Sequence, residues 1–347
     1  MRRMVYPIIK LAAFRCPYTV NVPCIKFFKR NYVVDVCEKA EKKIHPYKQI
    51  HPWKSLAEFS EDLFNNIIYN KDGLVALNKP YGIKRSGSEE FPYNIPNGVR
   101  YTLEDAIPYI SDRLKYPNLS VIRSPEMYMS GVTLLSADSK IQHAVEVSLI
   151  RANYFSNTYW VIAVGVPQQL EGDHRLAMKL MRNPNFNGTK AVIITSWTKN
   201  DEKLKRIKLL NTKYRVLSNS MLNLCSLIEI TSSTKRWHAV RLFASTFLYT
   251  PILGDNCCGS RVQKLGDTYL KVDPFLEYAN LPPKLDKKLL HLLDVNPAQH
   301  NIIPAHLHLR SVVLPYYFGE TVTIEAPLMP PFDWTYKRLD FKYFTIK

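Results

Sequence analysis

The run Tyr159-Trp-Val-Ile-Ala-Val, closed by Gly165 and Pro167, is the feature that most limits what this chain can fold into. Six consecutive apolar, mostly β-branched or aromatic residues describe a strand buried on both faces. Such a strand needs a sheet with a packed layer on each side. Similar short runs recur at 73–77, at both ends of 120–135, at 212–217, at 225–230 and at 321–326, each bounded by turn-forming residues. Helical stretches are few and do not alternate with the strands, which argues against a βαβ array. The fold class is therefore α+β: one mixed domain on a largely antiparallel sheet.

Local signals fill in the order. Ser60, followed by Glu61 and Asp62, is placed as the cap of a short helix reaching about residue 68. The first strand ends in Asn78-Lys79-Pro80-Tyr81-Gly82, where Pro80 removes a ladder donor and Gly82 permits positive φ. Thr102, ahead of Glu104 and Asp105, opens a second helix. Residues 138–152 read as a third, with Ile141, Val145 and Leu149 four apart on one face. Residues 168–211 are polar, with Asn-Pro-Asn and Asn-Gly turn signals, and read as a variable insertion. The runs at 212–217 and 225–230 suggest a hairpin. A Ser/Thr turn then leads to Arg236, His238 and Arg241, and 289–293 and 305–309 read as further apolar runs.

The formal net charge is +17, which favours an anionic partner: nucleic acid, a membrane surface or an acidic protein. The excess is uneven, since residues 1–50 carry 11 Lys and Arg against 3 Asp and Glu. Residues 1–34 are basic, contain no acid and interleave apolar side chains without a continuous apolar core. They read as a mitochondrial transit peptide, residues 35–56 as a polar linker, and 57–347 as the functional domain. No stretch has the length and apolarity of a membrane span. The six cysteines (16, 24, 37, 225, 257 and 258) lack CxxC spacing and fit free thiols in a reducing compartment.

Several common sites are missing from the sequence: it has no phosphate-binding P-loop, dinucleotide fingerprint or nucleophile elbow. His306-x-His308 would share one face of a strand, but spacing supplies no third ligand, so the sequence offers no metal site. What remains is dispersed. Residues 120–135 are two apolar runs around a loop that carries a lone carboxylate, Glu126, just before Ser130-Gly131. Taken alone, it reads as a surface loop between strands with an incidental Glu. Arg236 and Arg241, five apart, would face opposite sides of a regular strand, one toward RNA phosphate and one inward. An inward Arg needs a carboxylate, and Glu126 is a candidate. A carboxylate so paired stays ionised and can act as nucleophile or base, and a nearby Tyr159 would offer a stacking surface to a flipped-out base.

Four ordered blocks then carry a resemblance: IIYNKDGLVALNKPYGI (67–83), TYWVIAVG (158–165), RWHAVRLFASTFLYTPILGD (236–255) and PAHLHLRSVVLP with ETVTIEAPLMPPF (304–332). Together they resemble the RluA-type pseudouridine synthases, most of all the mitochondrial RNA pseudouridylate synthase domain-containing protein 3 branch. The resemblance implies a pseudouridine synthase catalytic fold, with a mixed, largely antiparallel central sheet flanked by helices and an RNA-binding cleft. It implies isomerisation of uridine to pseudouridine with no metal or organic cofactor. The implied partners are mitochondrial mRNA or rRNA and proteins of mitochondrial RNA processing or ribosome assembly.

Aligned on Ser130-Gly131, the family aspartate falls on Glu126, and the family's His-Arg-Leu before it becomes Arg123-Ser124-Pro125. By the same matching Tyr159 takes the place of the base-stacking tyrosine and Arg241 that of the arginine facing the carboxylate. Lys79, Arg123, Arg236 and His238 are assigned to RNA contact. Glu126 keeps the charge of Asp but reaches roughly 1 Å further, and a misplacement of that size can cost about a hundredfold in rate. Two readings follow: a working synthase with Glu126 as its carboxylate, or a degenerate member that binds RNA or an assembly partner without turnover.

Overall fold

The computed structural model describes residues 44–87, 95–152, 156–183, 187–266 and 268–342. The strands are β1 (Ile67–Lys71), β2 (Leu74–Lys79), β3 (Ser120–Arg123), β4 (Ser130–Ser136), β5 (Asn157–Val164), β6 (Glu171–Arg182), β7 (Thr189–Ile194), β8 (Ile207–Asn219), β9 (Cys225–Ser232), β10 (Val262–Leu265), β11 (Thr268–Lys271), β12 (Leu307–Tyr317) and β13 (Glu320–Glu325). The α-helices are α1 (Leu56–Asn65), α2 (Leu103–Leu114), α3 (Ser139–Arg151), α4 (Lys199–Lys203), α5 (Ala239–Thr246), α6 (Lys287–Leu292) and α7 (Phe332–Arg338).

One sheet runs β1-β2-β4-β12-β5-β9-β8-β6-β7, with β3 also on β4 and β13 also on β12. Its pairs are antiparallel except β4 with β12. Strand alternation divides the core between the two faces. Leu74 and Ala76 of β2, Val132 and Leu134 of β4, and Tyr159, Val161 and Ala163 of β5 share one cluster with α5 and Ile141 and Val145 of α3. On the opposite face Val75, Leu77 and Leu135 pack with Phe59 and Leu63 of α1 and Leu103, Ala106 and Ile110 of α2. Trp160 and Ile162 pack with α6 and α7 residues such as Leu289 and Phe332. The two-faced burial expected of β2 and β5 is what the sheet shows, and the α+β class follows from it.

A single cross-strand row positions the site. Lys79 pairs with Gly131, Gly131 with Leu309, Leu309 with Tyr159, and Tyr159 with Ile230. Gly131 has φ +119°, and a Cβ there would lie 2.2 Å from the Leu309 carbonyl oxygen. Glycine thus permits the close parallel approach of β4 and β12. Beside it the Ser130 hydroxyl meets His308 Nδ1 at 2.8 Å, and His308 Nε2 lies 3.2 Å from the Ala326 carbonyl. A carbonyl only accepts, so Nε2 carries the proton and the Ser130 hydroxyl donates to Nδ1. Burial pushes the pKa of His308 down to about 4, so this arrangement holds at neutral pH. His306 is likewise packed, with Nε2 at 2.6 Å from the Thr335 hydroxyl.

Several expectations need correction. Ser55, not Ser60, caps α1, its side chain accepting from the Glu58 amide, and the helix ends at Asn65. Thr102 caps α2 in a capping box with Asp105, as its sequence suggests, and Asp138 caps α3. The segment 168–211, read as an insertion from its polarity, is largely β6, β7 and the start of β8. These strands form the outer end of the main sheet, where one face meets water and the apolar run is broken. Residues 239–246 form a helix rather than continuing a strand, and 287–292 are helical as well. The linker assigned to 35–56 does not extend to 56: Tyr47 is fully buried and its hydroxyl meets Thr335 at 2.7 Å, so the packed unit includes residues from Ile44. The transit-peptide assignment to 1–34 lies outside the described residues.

Candidate active site

Glu126 sits in the loop joining β3 to β4, four residues before Ser130, with its side chain 24% exposed. Lys79, at the end of β2, holds that loop from below. Its Nζ donates to the carbonyls of Met129 (2.8 Å), Ile83 (3.0 Å), Pro80 (3.2 Å) and Glu126 (3.3 Å). Because Lys79 is fully buried, the RNA contact assigned to it is not available. It is a brace for the loop, its charge satisfied by backbone oxygens. Lys235 ties the same loop from the side, donating to the Ser124 carbonyl at 3.0 Å.

The carboxylate itself faces Tyr128 and His238. The Tyr128 hydroxyl donates to Glu126 Oε2, His238 Nδ1 lies 3.0 Å from that hydroxyl, and it lies 3.6 Å from Oε2. Tyr128 has one proton and gives it to the carboxylate, so the hydrogen between Nδ1 and the phenol oxygen belongs to His238. Burial pushes the Glu126 carboxyl up. The hydrogen bond and charge of His238, the Tyr128 hydroxyl and the charge of Lys235 outweigh it, leaving Glu126 below its ordinary pKa of 4.5. The carboxylate is therefore ionised at neutral pH.

His238 reaches this position through an unusual backbone. Trp237 and His238 have φ of 55° and 56° in the short turn Arg236–His238 before α5. Two successive non-glycine residues in the left-handed region store strain, which active sites commonly hold in place by packing. The turn leaves Arg236 exposed, and five residues on, in the first turn of α5, Arg241 is 1% exposed. One arginine out and one in is the arrangement expected from their spacing, achieved by a helix instead of a strand.

Arg241 does not pair with Glu126. Its Nε donates to Asp255 Oδ1 at 2.7 Å, its Nη2 donates to the same oxygen, and Nη2 also reaches Asn256 Oδ1 at 3.1 Å. Asp255 Oδ1 further accepts from the amides of Cys257 (2.9 Å) and Cys258 (3.1 Å). A positive φ at Gly254, +76°, turns the chain into this acceptor, and a Cβ there would meet the Pro304 carbonyl oxygen at 2.1 Å. The guanidinium instead lies over the Tyr128 ring, 4.0 Å from its centroid. Tyr128 thus stands between the arginine and the carboxylate that were expected to touch.

Tyr159 comes up from β5 with 2% exposure. Burial pushes its hydroxyl up to about 12, the nearby Arg123 charge opposes that, and Glu126 adds to it. The structure therefore brings Glu126, Tyr159 and Arg123 together, with His238 beside them and Arg236 at the exposed edge. A cavity of about 220 Å³ shares His238 with this site, but Trp237, Leu242, Cys257 and Arg261 are among its other walls and Glu126 is not. A further cavity, about 610 Å³, is lined by residues such as Asp173, Lys213 and Glu229 and by none of the expected site residues. No cluster of His, Cys, Asp and Glu with metal-binding geometry is present among the described residues.

Sequence reasoning missed Tyr128, Lys235 and Asp255. Tyr128 lies between two methionines and carries no charge to mark it. Asp255 closes the Pro-Ile-Leu-Gly-Asp block and was visible there as a conspicuous acid after a glycine.

A scan against protein-family models found no match. The chain is 25% identical over 308 residues to the mitochondrial pseudouridylate synthase RPUSD4 of Danio rerio, spanning 84% of this chain and 77% of that one. It is 27% identical over 299 residues to the human mitochondrial mRNA pseudouridine synthase RPUSD3, spanning 83% and 80%. The solved structure of human RNA pseudouridylate synthase domain containing 4 superimposes with a TM-score of 0.61 at 21% identity, covering 84% of this chain and 98% of that one. That superposition agrees with the mixed sheet described above. The chain is thus similar over most of its length to mitochondrial pseudouridine synthases of the RPUSD3 and RPUSD4 kinds, and it shares the fold of the solved one.

Proposed function

We propose that this protein isomerises uridine to pseudouridine in mitochondrial mRNA or rRNA, in the mitochondrial matrix, with Glu126 as the acting carboxylate. In that reaction the C1′–N1 bond breaks, a C1′–C5 bond forms, N1 takes up a proton and C5 gives one to solvent. The observation that carries the reading is an ionised, partly exposed carboxylate on the loop before Ser130-Gly131, held below its ordinary pKa by His238, Tyr128 and Lys235 against its own burial. Ionisation is what either a nucleophilic or a basic role requires. Tyr159 lines the wall beside it, and a base stacking there must displace a covering side chain. Arg123 and Arg236 supply charge for phosphate.

The pairing of Arg241 with Asp255 favours a second reading, in which the fold binds mitochondrial RNA or an RNA-processing or ribosome-assembly protein without turnover. Pseudouridine mapping of mitochondrial RNA separates the two. On the enzyme reading, loss of the protein removes pseudouridine at defined positions and Glu126→Gln fails to restore it. Unchanged maps in the absence of the protein would leave the binding reading.

A further inference from the structure

The structure leaves the carboxylate without the arginine its position calls for and puts a phenol in the gap. We infer that Tyr128 is the positioning residue for Glu126, linking its carboxylate to the Arg241 guanidinium through hydroxyl on one side and ring face on the other. This rests on the enzyme reading above for its effect on rate, though not for its geometry.

Three observations converge on it. Arg241 is committed to Asp255 and Asn256, so its ring contact with Tyr128 is the route by which it approaches Glu126. A guanidinium 4.0 Å from a buried ring centroid is a cation–π contact, and it fixes the plane of the ring. The hydroxyl at the far edge of that ring then donates to Glu126 Oε2 and accepts from His238 Nδ1. Tyr128 is fully buried, and burial together with the Glu126 charge pushes its pKa far up, so it remains a donor throughout the working range.

The glutamate and the tyrosine also fit one another. A flexible side chain one methylene longer than Asp has an extra torsion to hold, and a hydrogen bond to a fixed phenol holds it. An Asp at 126 would fall roughly 1 Å short of that hydroxyl. Tyr128 therefore matters to a glutamate in a way it would not to an aspartate.

The test is a double-mutant cycle of Tyr128→Phe with Glu126→Asp in the full chain. The probe is mitochondrial RNA from cells lacking the protein, labelled with tritium at uridine C5, and the readout is release of tritium to water. Tyr128→Phe keeps the ring over Arg241 and removes the hydroxyl. It should lower kcat about ten- to hundredfold, the range for losing a hydrogen bond to a charged group, with KM within about twofold. In the Glu126→Asp background the same change should alter kcat by less than about twofold. An unchanged kcat in Tyr128→Phe, or an equal loss in both backgrounds, overturns the inference. A carbon-13 NMR titration of the Glu126 carboxyl gives a second readout independent of turnover. It should move to higher pH in Tyr128→Phe, and an unmoved titration also overturns it. If the unaltered protein releases no tritium, the enzyme reading fails and the NMR titration alone decides the role of Tyr128.

Discussion

The Arg241 guanidinium lies over the Tyr128 ring, 4.0 Å from its centroid, while giving hydrogen bonds to Asp255 and Asn256. It is bound in-plane to a carboxylate and in-face to an aromatic. A lysine cannot do both, because its ammonium is a point charge without a planar fork. Arg241→Lys should destabilise the protein by about 3 kcal/mol, since Asp255 would remain buried with a poorer partner. Urea unfolding of the two proteins measures the difference.

Lys79→Met should be more damaging than its place at a strand end suggests. The change removes the donor for four carbonyls, two of them in the Glu126 loop. Stability should fall on the order of 3 kcal/mol. Amide exchange at residues 126–129 should accelerate more than in the outer strands, and uniform acceleration would argue against a local brace.

The depressed pKa of Glu126 sets an acid limit on both activity and stability. Its folded value is below 4.5, so its favourable contribution is complete above the ordinary carboxylate range and is lost as pH falls through the lower folded value. On the enzyme reading, the acid limb of kcat should lie below pH 4.5 wherever the fold survives. A limb near pH 6 or 7 would assign the titration to another group.

His51, His306 and His308 predict a separate effect at higher pH. Burial lowers each from 6.5 to about 4, which means the unfolded chain binds more protons between those values. Stability should be full above pH 6.5 and decline toward pH 4, each fully shifted histidine accounting for on the order of 3 kcal/mol at most. His306→Gln should flatten the decline measured by denaturant titration at several pH values.

Arg236 is the exposed member of its pair and should behave as a phosphate contact. Arg236→Ala should weaken RNA binding across sequences and reduce the slope of log affinity against log salt by about 1. Filter binding at a series of salt concentrations gives the slope, and an unchanged slope would place Arg236 outside the RNA path.

The parts of this fold that could be read in the sequence are those whose side chains report their surroundings directly. β5 announced itself because both faces are covered, α2 because Thr102 caps it, and α3 because Ile141, Val145 and Leu149 recur on one face. The outer strands β6 to β8 escaped because a half-exposed strand rich in Lys, Arg and Glu looks like a polar insertion. Glu126 and His238 were both singled out in the sequence, His238 as an RNA contact, and in the structure they lie 3.6 Å apart. The partner of Arg241 was not found, because which of two carboxylates, 115 and 14 residues away, meets a buried arginine depends on tertiary packing. Lys79 was visible as a charge, but a lysine bound to carbonyls cannot be told in sequence from one that faces a phosphate.

The placement of β12 bears on how the protein is made. This strand lies between β4 and β5 near the middle of the sheet, yet in the chain it follows both of them, with β6 to β11 in between. Until β12 arrives, β4 and β5 each present an open edge at the place where the site will form, and open edges invite pairing with other chains. A chain ending before Leu307 should therefore hold two unjoined half-sheets and aggregate. Adding the missing segment as a separate peptide should restore solubility if joining them is what it does. The row that joins Lys79, Gly131, Leu309 and Tyr159 is therefore closed only after β4 to β11 have all been made.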